Sequence, residues 1–174
     1  MIDLETLGTK PNSVLVALGV ATSNGGSYYA VIDVESCIAA GLRTDIDTVQ
    51  WWMRQSDTAR FVFHPDHPKE SLASVLTTFT EGLKTMRQAE GSKTGIRLWG
   101  NSAGFDLGLL GNAYDALQLP RPWKYWEEAC YRTLKNLRKD IKAPEFKGIK
   151  HNALADAQHQ LEHLMLLLEA VKAP

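Results

Sequence analysis

The sequence predicts an α/β protein in which helices cover a mixed β-sheet. Three observations support this prediction: apolar strand segments open the chain, a helical region follows, and strands then alternate with helices. The opening strands are Ile2–Thr6, SVLVALGVA at Ser13–Ala21 and YYAVIDV at Tyr28–Val34. SNGG between the last two segments is a strong hairpin signal, so the sheet is expected to start antiparallel.

Helical periodicity extends from Ser36 to about Gln88. It is interrupted at Gly41 and at HPDHP, His64–Pro68, and apolar residues recur three and four apart in Ser71–Met86. This region is therefore expected to be a helical insertion between the opening strands and the rest of the sheet.

Strand and helix signals alternate in the second half of the chain. Ile96–Asn101 is typical of a buried strand, and the segment AGFDLGLLGNAYDAL after it is typical of a helix. WKYWEEACYRTLKNL is ambiguous, and we expect a strand to about Ala129 followed by a helix. A last helix is expected from Asn152, a candidate N-cap. Its predicted apolar stripe contains Leu154, Ala157, Leu161, Leu164, Leu168 and Val171.

Length and composition indicate one soluble domain, residues 1–174. Hydrophobic residues at 44% and charged residues at 22% are ordinary for a globular protein, and no apolar run approaches the roughly 20 residues of a membrane span. No secretion signal or disulfide framework is visible, so a cytoplasmic location is expected. Cys37 and Cys130 are both expected to be buried.

A basic segment lies between Arg132 and Lys150. It carries seven basic and two acidic residues, a net charge of +5, in a chain whose overall charge is -1. Either a patch that binds a polyanion or a solvated helix face followed by a lysine-rich loop explains this pattern.

Two acidic residues share one face of the first predicted strand. Side chains alternate along a strand, so Asp3 and Glu5 point to the same side, opposite Ile2 and Leu4. An exposed pair would simply be solvated. A pair with a cation between its members would be part of an oxygen-rich metal site of the kind that Mg²⁺ and Mn²⁺ select, which requires further acids.

Two more acids and a histidine fall at the starts of helices. Asp106 lies in the first turn after the Ile96–Asn101 strand, a usual place for a site in an α/β sheet, although the helix dipole also favours an acid there. In HNALAD, a separation of five places His151 on the preceding loop and Asp156 within the helix. Small residues around Asp156 would let this helix lie close to the sheet and present the carboxylate inward.

The ordered set Asp-x-Glu, Asn-x-x-x-Phe-Asp and His-x-x-x-x-Asp resembles the three motifs of the DEDDh exonucleases, a group of the DnaQ-like, RNase H-like superfamily. The resemblance extends from Met1 to about Val171. DLETLGT together with TVQWWMRQSDTAR resembles the exonuclease VIII-like branch. That branch includes phage exonuclease A-type DNA exonucleases and small bacterial 3′-to-5′ exoribonucleases.

This resemblance implies a five-stranded mixed sheet with helices on both faces, the RNase H-like fold. It also implies two divalent ions, Mg²⁺ or Mn²⁺, bound by Asp3, Glu5, Asp106 and Asp156, with His151 as the general base. One feature departs from the family pattern. Only Met1 and Ile2 precede Asp3, so either the sequence lacks its true start or the first strand is unusually short.

Four residues are candidate substrate contacts. Thr6 follows the acidic pair and is expected at the terminal sugar, as the family implies, and Asn101 opens the second motif. Phe105 is either a wedge against the last base or a core residue. Trp51 and Trp52 are adjacent on a helix, so at most one faces the core; Trp51 is the candidate for stacking on a base or on a second copy of the chain in a homodimer.

The resulting hypothesis is a metal-dependent 3′-to-5′ exonuclease that releases nucleoside monophosphates from single-stranded or frayed ends of DNA or RNA. Histidine suits the task of taking a proton from water near neutral pH. Two alternatives stay open at this stage. One is a nucleic-acid-binding or accessory subunit of weak activity on the same fold, and the other is an RNase H-type endonuclease.

Overall fold

A five-stranded mixed sheet forms the centre of the protein, in a computed structural model that describes residues 1–90 and 95–172. The strands are β1 (Ile2–Thr6), β2 (Leu15–Ala21), β3 (Ser27–Val31), β4 (Leu98–Gly100) and β5 (Glu128–Cys130). Their order is β3-β2-β1-β4-β5, with β1, β2 and β3 antiparallel and β1, β4 and β5 parallel. The mixed sheet and the RNase H-like α/β fold predicted from the sequence are confirmed.

Seven helices are present in the described part of the chain. They are α1 (Val34–Ala39), α2 (Ile46–Met53), α3 (Asp57–Arg60), α4 (Leu72–Glu90), α5 (Ala103–Ala116), α6 (Tyr131–Leu137) and α7 (Ala153–Lys172). None of the described helices is both long and apolar enough to cross a membrane.

The two faces of the sheet pack against different helices. Leu4 and Leu18, which are paired across β1 and β2, belong to a large buried cluster with Leu76 of α4 and Leu110 of α5. On the opposite face, Ala21 of β2 joins a smaller buried cluster with residues of α6 and α7, among them Tyr131, Ala157 and Leu164. The sheet is therefore covered on both sides, as predicted.

Four strands are shorter than the sequence predicts: β2 starts at Leu15, not Ser13, and β4 covers only Leu98–Gly100 of the predicted Ile96–Asn101. Local hydrogen bonds limit the other two, β3 and β5. β3 stops at Val31 since Asp33 caps α1, accepting from the backbone N–H of Ser36 at 3.1 Å. The expected strand before Ala129 is mostly a 3₁₀ turn at Tyr125–Glu127, where the Glu127 carboxylate accepts from the Lys124 backbone N–H at 2.7 Å. Pairing is left to Glu128–Cys130 alone.

The buried face of α7 differs from the predicted apolar stripe. Asn152 caps the helix as expected, accepting from the Ala155 backbone N–H at 3.0 Å. Val171 is exposed, however, whereas the polar residues Gln160 and His163 are buried. His163 is paired with the Tyr131 hydroxyl at 2.7 Å and with the Ile141 carbonyl at 3.1 Å, so partners inside the protein replace water.

The two cysteines have different environments. Cys37 is fully buried, as predicted, but Cys130 at the end of β5 is only half-buried, so the prediction is wrong for that residue. β5 is an edge strand of three residues, and a residue there has a neighbouring strand on one side only.

Candidate active site

The central strand β1 presents Asp3 and Glu5 on the face that α7 covers. Asp3 pairs with Gly19 and Glu5 with Ala17, so these four positions share one side of the sheet. Glu5 is buried and Asp3 is half-buried. The acidic pair is thus enclosed by the fold, and the solvated alternative does not apply.

Gly19 lets the first turn of α7 touch the sheet backbone. A methyl group at position 19 would lie 2.1 Å from the Ala153 carbonyl carbon and 2.4 Å from the Leu154 nitrogen. Glycine inside a strand commonly marks such a close approach. Since the helix starts directly on β2, Asp156 in its first turn reaches the acidic pair on the neighbouring strand β1.

Asp3, Glu5 and Asp156 form one group of carboxylates. An oxygen from each lies within 4.8 Å of the others. Asp106 is not one of these three but lies near Asp3, since its charge is the second cause, after burial, of the raised pKa of Asp3. Its carboxyl group packs against Gly100, where a methyl group would lie 2.9 Å from Oδ2, and the Leu4 and Asn101 backbone lowers its pKa. The structure therefore brings together three of the four predicted metal ligands and places the fourth at the adjacent end of β4.

Burial raises the pKa of every acid in this site, and repulsion from the other acids adds to the rise at Asp3 and Glu5. Burial, with repulsion from Asp3 next, raises the pKa of Glu5 to about 9. Burial and then Asp106 raise the pKa of Asp3 well above its ordinary value, and burial raises that of Asp106 to about 6 against its backbone hydrogen bonds. Burial also raises the pKa of Asp156, and the His151 backbone and imidazole oppose that rise. Such a cluster favours bound protons or a bound cation.

His151 lies in the loop before α7, between the carboxylates and two tryptophans. Its backbone is left-handed, with a φ of 62°. The imidazole meets the Trp51 ring edge to face at 4.9 Å between centroids, and the Trp52 ring at 6.2 Å. The indoles of α2 therefore fix the side of the site on which the histidine lies.

Trp52 is a part of the site that the sequence did not identify. It is 3% exposed, and its indole N–H donates to the Thr6 carbonyl at 2.9 Å, which ties α2 to the end of β1. Trp51 is 37% exposed, so one tryptophan of the pair is buried and the other is accessible. The sequence showed two adjacent tryptophans on a predicted helix, which indicates that at most one of them is buried but does not indicate which one.

Gln160 is a second residue that the sequence did not identify. Its Nε2 donates to Asp3 Oδ1 at 2.8 Å, and its Oε1 is buried without a hydrogen-bond partner among the described residues. An unpaired buried acceptor of this kind costs about 1–3 kcal/mol. Spacing was the available signal, because Gln160 follows Asp156 by four residues and therefore lies on the same side of the helix.

The predicted substrate contacts surround the acidic group, and their roles stay predictions. The Thr6 hydroxyl donates to the Gly8 carbonyl at 2.7 Å. Asn101 Oδ1 is buried and has no hydrogen-bond partner in the described ranges. Phe105 is half-buried and packs against the large core cluster, and Trp51 lies beside His151.

Comparison with protein families gives one match. A family model described as the 3′-5′ exoribonuclease Rv2179c-like domain matches residues 1–168, a range that contains all four acids and His151. The chain has no significant match among curated protein sequences.

Replacing Gly19 with alanine is expected to disrupt the site. The added methyl group meets helix backbone that cannot rotate away, so we expect a loss of at least about 3 kcal/mol in the free energy of unfolding. Denaturant unfolding of Gly19→Ala measures this loss. Gly82→Ala on α4 is the control, since a methyl group there meets no atom within 4 Å and should not destabilise the protein. Equal stability of both variants would contradict the close contact.

The pKa shifts predict how stability varies with pH in the absence of metal. The pKa of Glu5 rises from 4.5 to about 9 on folding, so the folded protein holds the proton more tightly. Stability is then fully present below pH 4.5 and is lost as the pH rises towards 9. In EDTA, Glu5→Gln should melt at least about 2 °C above the wild type at pH 8 and show a weaker pH dependence. Calorimetry at several pH values tests this, with the exposed Glu162→Gln on α7 as the control. Parallel curves for all three proteins would be inconsistent with a buried, protonated Glu5.

Proposed function

We propose, since the chain belongs to the 3′-5′ exoribonuclease Rv2179c-like family, that it is a metal-dependent 3′-to-5′ exonuclease acting on single-stranded or frayed RNA ends. The products would be nucleoside monophosphates. One observation carries the proposal: oxygens of Asp3, Glu5 and Asp156 converge within 4.8 Å, with His151 on the loop directly before α7.

The chemistry of the donor set fits a divalent cation. All donors are carboxylate oxygens, which Mg²⁺ and Mn²⁺ prefer. Burial and repulsion raise the pKa of these acids, and a cation would offset both effects. We propose that Asp3, Glu5 and Asp156 bind the ions. Asp106, whose charge acts on Asp3, would complete a two-ion site.

Bound divalent ions would offset the charge of the scissile phosphate, lower the pKa of the attacking water and stabilise the leaving 3′ oxygen. The role of His151 is to take a proton from that water at an imidazole nitrogen. Trp51 and Trp52 pack edge to face against the imidazole and restrict its orientation. In this proposal the ring does not bind the ions itself.

Substrate binding would use the basic segment next to His151. Lys139, Lys142, Lys147 and Lys150 are exposed there, whereas Arg138 pairs with Asp140 at 2.9 Å and bonds to the Ala170 carbonyl. Exposed lysines are suited to contact a phosphate backbone. RNA and DNA share that phosphate, so the preference for RNA rests on the family description alone.

Metal binding and cleavage should be lost together in Asp156→Asn. The amide removes one charged ligand from the acidic group and also relieves repulsion, so the fold should be retained. We would titrate Mn²⁺ calorimetrically and digest end-labelled RNA and DNA oligonucleotides with Mn²⁺ present. The wild type should give a ladder of shortened products, faster on RNA, and Asp156→Asn should give none.

Asp66→Asn is the matched control for this experiment, because Asp66 carries an exposed carboxylate on the loop before α4. It should bind Mn²⁺ and cleave like the wild type. Binding of RNA by the wild type without shortened products would favour an accessory role, and internal cuts in circular RNA would favour an endonuclease.

Removal of the imidazole should slow turnover and spare metal binding. We expect His151→Ala and His151→Asn to lower kcat by about 10²–10⁴, the usual contribution of a general base. Asparagine tolerates the left-handed backbone at this position, so the Asn variant separates the loss of the base from strain in the loop. Single-turnover kinetics with Mn²⁺ measures the effect. A wild-type kcat in His151→Asn would rule out the proposed role.

A further inference from the structure

Gln160 on α7 lies against the face of β1 that carries Asp3 and Glu5. It is one helical turn beyond Asp156 on α7 and is 7% exposed. Its amide nitrogen Nε2 donates to Asp3 Oδ1 at 2.8 Å. One lone-pair site of Asp3 is therefore used by this hydrogen bond, and the remaining sites can bind another ligand.

An ionised Asp3, the form that binds a cation, fixes the orientation of the amide. If the group were turned over, Oε1 would face a carboxylate oxygen, and two acceptors would oppose each other. In the observed orientation Oε1 has no partner among the described residues, although the side chain is buried. The other buried positions on α7 are the apolar Ala153, Ala157, Leu164 and Leu167, and His163, whose ring nitrogens pair with Tyr131 and Ile141. An apolar residue at position 160 would avoid the unpaired acceptor, so the packing of the helix alone does not explain the glutamine.

A neutral donor is the group that this position requires if Asp3 is to bind a cation. A lysine would place its own positive charge where the ion belongs, and a glutamate would add a further acid to a group that already repels itself. An amide instead restrains the rotation of Asp3 and adds no net charge. Hydrogen bonds that orient carboxylate ligands in this way commonly tune metal affinity.

We propose that Gln160 is a positioning residue that orients the Asp3 carboxylate for a divalent cation. The assignment rests on the proposed metal-dependent function. It gives the buried unpaired acceptor a reason: the amide is retained for its donor, and the fold tolerates the unsatisfied oxygen.

Gln160→Met tests the assignment, because methionine has a similar length, is unbranched and cannot donate. We expect the dissociation constant for Mn²⁺ to rise by about 10- to 100-fold in calorimetric titration at 20 °C. The melting temperature in EDTA should be unchanged or higher, since the unpaired acceptor is gone. Gln158→Met, two residues earlier on the exposed side of α7, is the matched control and should leave the Mn²⁺ affinity at the wild-type value.

A double-mutant cycle shows whether Gln160 acts through Asp3. In an Asp3→Ala background, Gln160→Met should have little further effect on the remaining Mn²⁺ affinity. An effect as large as in the wild-type background would overturn the assignment. So would wild-type Mn²⁺ affinity in Gln160→Met.

Further outcomes distinguish a failure of this assignment from a failure of the proposed metal-dependent function. Gln160→Leu serves as a second apolar variant, and failure of both variants to fold would show a structural role and overturn the positioning role. A wild-type protein that binds no Mn²⁺ would overturn the metal site and, with it, the role of Gln160. If the wild type binds Mn²⁺ and Gln160→Met binds it with the same affinity, only the role of Gln160 is overturned.

Discussion

The contact between the first turn of α7 and the backbone of β2 determines the rest of the site. At Gly19 the strand has no side chain, and Ala153 and Leu154 of the helix occupy the space that a methyl group would need. This contact sets the height of the whole helix above the sheet. The positions of Asp156 and Gln160 depend on this contact, because their side chains reach β1 only when the helix lies this close.

The same close packing makes the metal-free site electrostatically unfavourable. Carboxylates that would be solvated on an open strand are covered by α7, and burial is the largest cause of the raised pKa of Asp3, Glu5 and Asp106. Proteins commonly tolerate such a cost where function requires it. The hydrogen bond from Gln160 and the backbone groups around Asp106 offset part of it without supplying a positive charge. The hydrophobic core on the other face of the sheet is the main source of the stability that offsets the rest of this unfavourable free energy.

The sequence predicted the parts of the molecule that follow from periodicity and motif spacing. The five strands, the hairpin at SNGG and the N-cap at Asn152 belong to this group. The convergence of Asp3, Glu5 and Asp156 was implied by the resemblance to the exonuclease motifs. Gln160 and His163 were missed because a hydropathy pattern treats polar residues as exposed, and only their partners, Asp3 and Tyr131, explain their burial. The position of Asp106 beside Gly100 depends on backbone groups of β1 and β4, whose placement is a property of the tertiary structure.

The cluster of Asp3, Glu5 and Asp156 contains residues from both ends of the chain, and this affects the stage of folding at which the cluster can form. Asp3 and Gln160 are 157 residues apart, and nearly all of the sheet lies between them in sequence. Contacts of such long range require loop closure whose entropy is compensated only when the surrounding structure is in place. The opening hairpin and the helices α4 and α5 can bury apolar surface without these acids coming together. Docking of α7 is the step that brings Asp156 to Asp3 and Glu5, so the repulsion between these acids acts mainly on that step. A divalent cation at the acids would favour the docked helix over the undocked one, which couples metal binding to the order of the C-terminal helix.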